Sequence, residues 1–203
     1  MNSELINNKV YLQGLVSTLP QLNHSVKNEE FYGFDLVVAR LSGQKDIIPI
    51  IISKNLIEKY DIKQGDMVAV KGQFRSFNKM ENEKRKLILS VFVKEVCDWD
   101  ESANPNVIEL NGFVCKPVIY RTTPFSREIC DVLLAVNRKF NKSDYIPCIA
   151  WGNNAQLVSR MGVPSNLKII GRIQSREYNK LLEDNSLTTK TAYEVSISKL
   201  INE

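Results

Sequence analysis

The sequence predicts an all-β protein made of two tandem copies of one five-stranded barrel, each with a short helix between its third and fourth strands. Three observations lead there. First, the chain repeats itself: Val10-Tyr11-Leu12-Gln13-Gly14-Leu15-Val16 reads like Ile108-Glu109-Leu110-Asn111-Gly112-Phe113-Val114. The same register superposes Arg40 on Arg138, Asp46 on Asp144, and Ile48-Pro49-Ile50 on Ile146-Pro147-Cys148. One further residue of shift brings Lys71-Gly72-Gln73-Phe74 onto Ile170-Gly171-Arg172-Ile173. Chance likeness among apolar strands does not explain shared Gly, Pro and Arg positions, so the period marks two structural copies. Second, each copy is a series of short apolar runs broken by turn residues. Third, a polar join ending in Pro105 separates them. The expected division is a first domain over 1–98, a linker over 99–105 and a second domain over 106–203.

The second copy carries the elements most clearly. A strand over 106–114 is interrupted by Gly112, a bulge or bend. Apolar runs over 129–136 and 145–151 supply the second and third strands. Residues 153–161 follow with an Asn cap and apolar spacing that suit a short helix. Strands over 168–178 and 191–199 complete the set, linked by a polar loop through 181–186. The first copy repeats the plan, with its helix at 53–60. Five strands with one helix between the third and fourth is the OB-fold barrel, which closes the sheet on itself and protects its edges.

Composition removes several classes of function. Twenty-seven basic residues against 23 acidic ones give a net charge of +4, and apolar residues make up 43% of the chain. That describes a globular protein rather than a polycation or a disordered chain. Apolar runs such as the six residues 47–52 fall far short of the roughly 18 a membrane helix needs. With no basic-then-apolar start, the expectation is a soluble, cytoplasmic protein with no membrane role. His24 is the single histidine, which removes most triad, general-base and His-ligand schemes; its polar neighbours suggest a solvated loop. Cys97, Cys115, Cys130 and Cys148 are widely spaced beside apolar residues, so they read as reduced and without metal. No P-loop or paired-carboxylate motif is present, and neither an enzyme nor a cofactor is expected.

The faces of the strands point to a ligand. Side chains alternate across a strand, so Ile146, Cys148 and Ala150 suit the interior, leaving Tyr145, Pro147, Ile149 and Trp151 outside. On the following strand Ile173 points inward while Arg172, Gln174, Arg176 and Tyr178 share the opposite face. Aromatic rings interleaved with guanidinium groups suit single-stranded nucleic acid, where bases stack and cations follow phosphates. A partner-protein surface would use the same residue types, and stacking alone does not separate DNA from RNA. Charge distribution favours nucleic acid. Residues 1–101 are neutral overall, whereas 102–203 hold the whole net +4 and six of the nine arginines.

The second copy resembles bacterial single-stranded DNA-binding proteins through Pro117-x-x-x-Arg121-x-Thr123-Pro124, Leu134-Ala135-Val136-Asn137-Arg138, 144–152 and 171–178, in order through nearly all of 105–200. The resemblance implies an OB barrel, assembled with four barrels per functional unit, and therefore a homodimer of this chain. It also implies single-stranded DNA as partner and roles in replication, recombination or repair. Phe140, Tyr145, Trp151 and Tyr178 correspond to base-stacking positions, and Arg121, Arg138, Arg172 and Arg176 to flanking cationic ones.

The first copy departs from that pattern. In register, Phe140 becomes Ser42, Tyr145 becomes Ile47, Trp151 becomes Ser53 and Tyr178 becomes Lys79. Arg40, Lys45, Lys71, Arg75 and Phe77 remain as a secondary binding set. With stacking worth about 1–3 kcal/mol per base, this copy is expected to bind weakly and to serve assembly, hiding Ile47 and Ile51. The chain also stops at Glu203 without the acidic tail by which family members recruit other enzymes. Such recruitment is therefore not expected, and a tail-less replication-restart accessory, or a protein scaffold using the aromatic face, stands as the alternative.

Overall fold

The computed structural model describes residues 7–40, 42–81, 84–181 and 186–201. Among the described residues each half lays down six strands and a helix. The first half comprises β1 (Asn8–Val16), β2 (Gln21–Val26), β3 (Glu29–Ala39), β4 (Lys45–Ser53), α1 (Lys54–Tyr60), β5 (Met67–Glu81) and β6 (Lys84–Cys97). The second comprises β7 (Asn106–Val114), β8 (Ile119–Thr122), β9 (Glu128–Arg138), β10 (Lys142–Trp151), α2 (Asn153–Val158), β11 (Asn166–Leu181) and β12 (Leu187–Ile201).

Five strands of each half close a barrel. In the first, β1, β3, β4, β6 and β5 pair in that order and return to β1, with β4 and β6 parallel and the other pairs antiparallel. The second repeats the circuit with β7, β9, β10, β12 and β11. These are the expected OB barrels, each with its helix between the third and fourth barrel strands. Alternation builds the interior: Ile48, Ile50 and Ile52 of β4, and Ile146, Cys148 and Ala150 of β10, are all buried. The shared glycines have a steric reason. A Cβ at Gly72 would stand 2.2 Å from the Phe92 carbonyl oxygen, and one at Gly171 would stand 2.3 Å from that of Ser196. Both sit beside a register shift in the long hairpin, where backbone presses on backbone.

Several expectations require correction. Each barrel carries a sixth, outer strand, β2 on β3 and β8 on β9. Every residue of both outer strands is exposed, so neither has the alternation by which a strand is recognised. His24 consequently lies in a strand rather than a loop, with its ring stacked 5.0 Å from that of Phe31. Helix α2 is shorter than expected and starts from Gly152 at φ +52°, a left-handed entry, with no side-chain cap. Ile149, expected outside, is only 5% exposed. The strands of the second long hairpin reach Leu181 and Leu187, further than apolar content suggested; 182–185 of its turn lie outside the described residues.

A pseudo-twofold seam joins the barrels. Strands β1 and β7 pair antiparallel from Asn8↔Leu110 to Leu12↔Asn106, centred on Val10↔Ile108. Because Ile108 is the repeat partner of Val10, the pairing is symmetric about that point. All twelve strands thereby form one continuous sheet. Val10, Leu12, Ile108 and Leu110 are buried at the seam, each contributing roughly 1.5–3 kcal/mol of apolar burial. The connector folds back on β1, where the Gln13 amide donates to the Asp100 carbonyl at 2.8 Å.

Candidate nucleic-acid interface

The outward face of the second barrel is built on β9, β10, β11 and the turn between β9 and β10. That turn holds Phe140 and Asn141 at φ +62° and +53°. Side chains rarely adopt this region, and Phe140 is 91% exposed. Tyr145 and Tyr178 are also exposed, and the Arg176 guanidinium stands 5.9 Å from the Tyr178 ring centroid. Trp151 differs from these three. It is half-buried, and its indole N–H donates to Ser196 Oγ at 3.1 Å, so one edge is fixed while part of the ring stays accessible.

The cations fall into two groups. Arg172 and Arg176 are exposed on β11, beside the aromatic rings. Arg121 is paired instead, its Nε donating to Asp131 at 2.7 Å, and that bond holds its guanidinium above the usual value. Arg138 makes a single 3.2 Å contact to Asp144. Gln174, expected on the exposed face, is buried there and donates to Glu194 at 2.7 Å.

The secondary set of the first barrel is scattered. Arg40 grips both oxygens of Asp46, an arrangement that neutralises it and raises its pKa. Lys45 and Phe77 are exposed at separate points, and Lys71 lies beside Cys97. Arg75 lies flat on Phe92, 3.9 Å from the ring centroid. Burial and, after it, the neighbouring Arg138 charge pull its pKa down, with Asp144 opposing.

Across the seam, Arg75 and Arg138 line one cleft of about 280 Å³ together with Lys94, Lys139 and Lys142. Those three lysines were not singled out from the sequence. Lys139 and Lys142 flank Phe140 in a visibly basic run, whereas Lys94 joins them only through the tertiary register. Among the described residues no group of three or more His, Cys, Asp or Glu is placed to hold a metal, and no helix is long and apolar enough to cross a membrane.

Two closed OB barrels sharing one sheet, with rings and guanidinium groups outside the second, define a tandem OB-fold protein with an aromatic and basic outer face. Residues 105–201 match the single-strand binding protein family. The fold as a whole is similar to the single-stranded DNA binding protein from Thermus aquaticus. Its wild-type structure aligns at a TM-score of 0.71 and 18% identity over 97% of this chain and 92% of that one. A deletion mutant of the same protein aligns at 0.72 and 18%, over 97% and 94%. The N-terminal domain of PriB protein from Thermoanaerobacter tencongensis is 39% identical over 46% of this chain and 98% of that one, at a TM-score of 0.40. No curated protein matches the chain.

Proposed function

We propose that this protein binds single-stranded DNA with little sequence preference, without catalysis, in replication, recombination or repair. The observation that carries the reading is the fully exposed Phe140 ring beside Arg138, held in a backbone conformation that costs stability. Phe140, Tyr145, Tyr178 and the accessible part of Trp151 stack bases, while Arg138, Arg172 and Arg176 follow the phosphates. Arg121 joins them after exchanging Asp131 for phosphate. The family match over the same barrel supports this assignment. The first barrel serves chiefly to hold the second, and its Arg40, Lys45, Lys71 and Phe77 contribute little. Two chains associate to bring four barrels together.

The test is a titration with oligo(dT) and oligo(rU) at two salt concentrations, following tryptophan emission in a Trp99→Phe background. Binding that quenches Trp151 and weakens with salt, by about 0.7 log units per log unit of salt for each phosphate neutralised, supports the reading. Emission and mobility that respond to neither strand overturn it. Stronger binding to oligo(rU) moves the target to RNA. Light scattering of the purified protein reports the association of chains, and a monomer mass rules out the four-barrel unit.

A further inference from the structure

Both ends of β9 lead into turns that expose a phenylalanine. Phe140 follows its C-terminal end and is 91% exposed; Phe125, in the turn from β8, precedes its N-terminal end and is 87% exposed. Strand register orders the rings between them. Tyr145 lies opposite Ala135 and Trp151 opposite Ile129, so Phe140, Tyr145, Trp151 and Phe125 follow one another along the strand direction. Ile129 in turn lies opposite Arg121 on β8. At Trp151 the chain leaves β10 for α2, whereas the β8–β9 hairpin runs on. At about 3.3 Å per residue, the tip of its turn lies roughly 10 Å past the row that holds Trp151.

Hydrogen bonds fix that turn. The Thr123 N–H donates to the Arg127 carbonyl at 2.8 Å, the Ser126 N–H to the Thr123 carbonyl at 2.9 Å, and the Arg127 N–H to Thr123 Oγ1 at 3.1 Å. At its base Glu128 accepts from Gln156 of α2 at 2.7 Å, and Arg121 holds both oxygens of Asp131. Phe125 and Arg127 are exposed on this frame. A lone exposed ring is ordinary in a folded protein, but the repeat sets this one apart. Counted back from β9 and β3, Arg127 stands at the place of Glu29 and Ser126 at that of Asn28, both of the latter pair at positive φ, +56° and +66°. Phe125 stands at the place of Lys27. The ring and the arginine thus occur only in the second copy, as do Phe140, Tyr145, Trp151 and Tyr178, whose counterparts are Ser42, Ile47, Ser53 and Lys79. A ring beside a guanidinium suits a base and its phosphate; Glu29 in the first copy would repel the phosphate.

We propose that Phe125 is a further base-stacking residue, and that the β8–β9 turn carries the strand past Trp151, with Arg127 receiving a phosphate there. The site on the second barrel then has an exposed phenylalanine at each end of β9, one before the row of rings and one after it. The proposal rests on the single-strand reading above and extends it along the same barrel.

The test uses the full chain with Phe125→Ala, Arg127→Gln and, in the turn of the first copy, Lys27→Ala, against oligo(dT) of about 16 nucleotides, the upper end of what one OB barrel covers. Phe125→Ala is expected to keep the wild-type denaturation midpoint and to weaken binding on the order of tenfold, within the worth of one stacked base. Arg127→Gln should lower the salt slope by about 0.7, and Lys27→Ala should change neither. A second readout reports contact directly. In a Trp99→Phe, Trp151→Phe background, Phe125→Trp supplies the one remaining indole, and oligo(dT) should quench its emission. Full affinity in Phe125→Ala overturns the proposal, as does an indole at that position left unquenched by a strand that binds. Wild-type protein that binds no oligo(dT) overturns the single-strand reading itself.

Discussion

The backbone N–H of Ser76, on the long hairpin of the first barrel, donates 2.7 Å to Oδ1 of Asp144 on β10 of the second. The repeat partners do the same in reverse: the Ser175 N–H donates 2.8 Å to Oδ1 of Asp46. The serine hydroxyls complete each exchange by accepting from the Tyr145 N–H at 2.7 Å and the Ile47 N–H at 3.1 Å. Each hairpin therefore clasps the third barrel strand of the other copy. Tyr145, a proposed stacking residue, is seated by the first barrel and not only by its own.

Both aspartates are buried, so truncating either leaves a backbone donor and an arginine without their acceptor. Asp144→Ala is expected to destabilise the protein by about 1–3 kcal/mol, the usual cost of stranding a buried polar group. Asp46→Ala should cost at least as much, because Arg40 loses two bonds where Arg138 loses one. Denaturant unfolding of the two variants measures this. Equal stability to wild type in both would mean that the clasp contributes nothing.

Phe140 offers a test in which stability and binding move in opposite directions. A side chain held at positive φ costs roughly 1–2 kcal/mol, and glycine relieves it. Phe140→Gly should therefore raise the unfolding free energy by about 1 kcal/mol while weakening oligo(dT) binding by about 1–3 kcal/mol, the worth of one stacked base. A variant that gains stability and keeps full affinity would remove Phe140 from the stacking set.

Cys148 gives a pH dependence. It is buried in the second barrel, and burial pushes its thiol far above the ordinary value of 9.0. The folded state keeps the proton that the unfolded chain releases, so the associated stability is fully present below pH 9 and declines above it. The decline should approach about 1.4 kcal/mol per pH unit from this one group. Cys148→Ala should show a shallower loss between pH 9 and 10.5 in parallel denaturation curves. The native thiol should also resist alkylation until the protein unfolds. Modification of Cys148 at the rate of a free thiol would contradict its burial.

Much of the architecture was legible because the period-2 patterns of the barrel strands are driven by one buried face. Ile146, Cys148, Ala150 and Ile173 declare the interior of the second barrel, and the repeated glycines mark where backbone meets backbone. β2 and β8 were not legible because every residue in them is exposed, so no buried face imposes an alternation on them. Ile149 misled for the opposite reason. Alternation assigns it to the outside, yet it is buried in the folded chain.

The sequence alone determined that two like barrels exist, that the second carries the net charge, and that its outer face bears rings and arginines. These are local properties, set by alternation and by residue type. Only the tertiary structure decided which cations meet. Lys94 and Arg138 are 44 residues apart in number and on different barrels, and they share a cleft because β1 pairs with β7 and the hairpins cross. Near-symmetric folding places equivalent positions in equivalent surroundings. The side chains at those positions have diverged, Arg75 standing where the second copy has Gln174 and Lys142 where the first has Gln44.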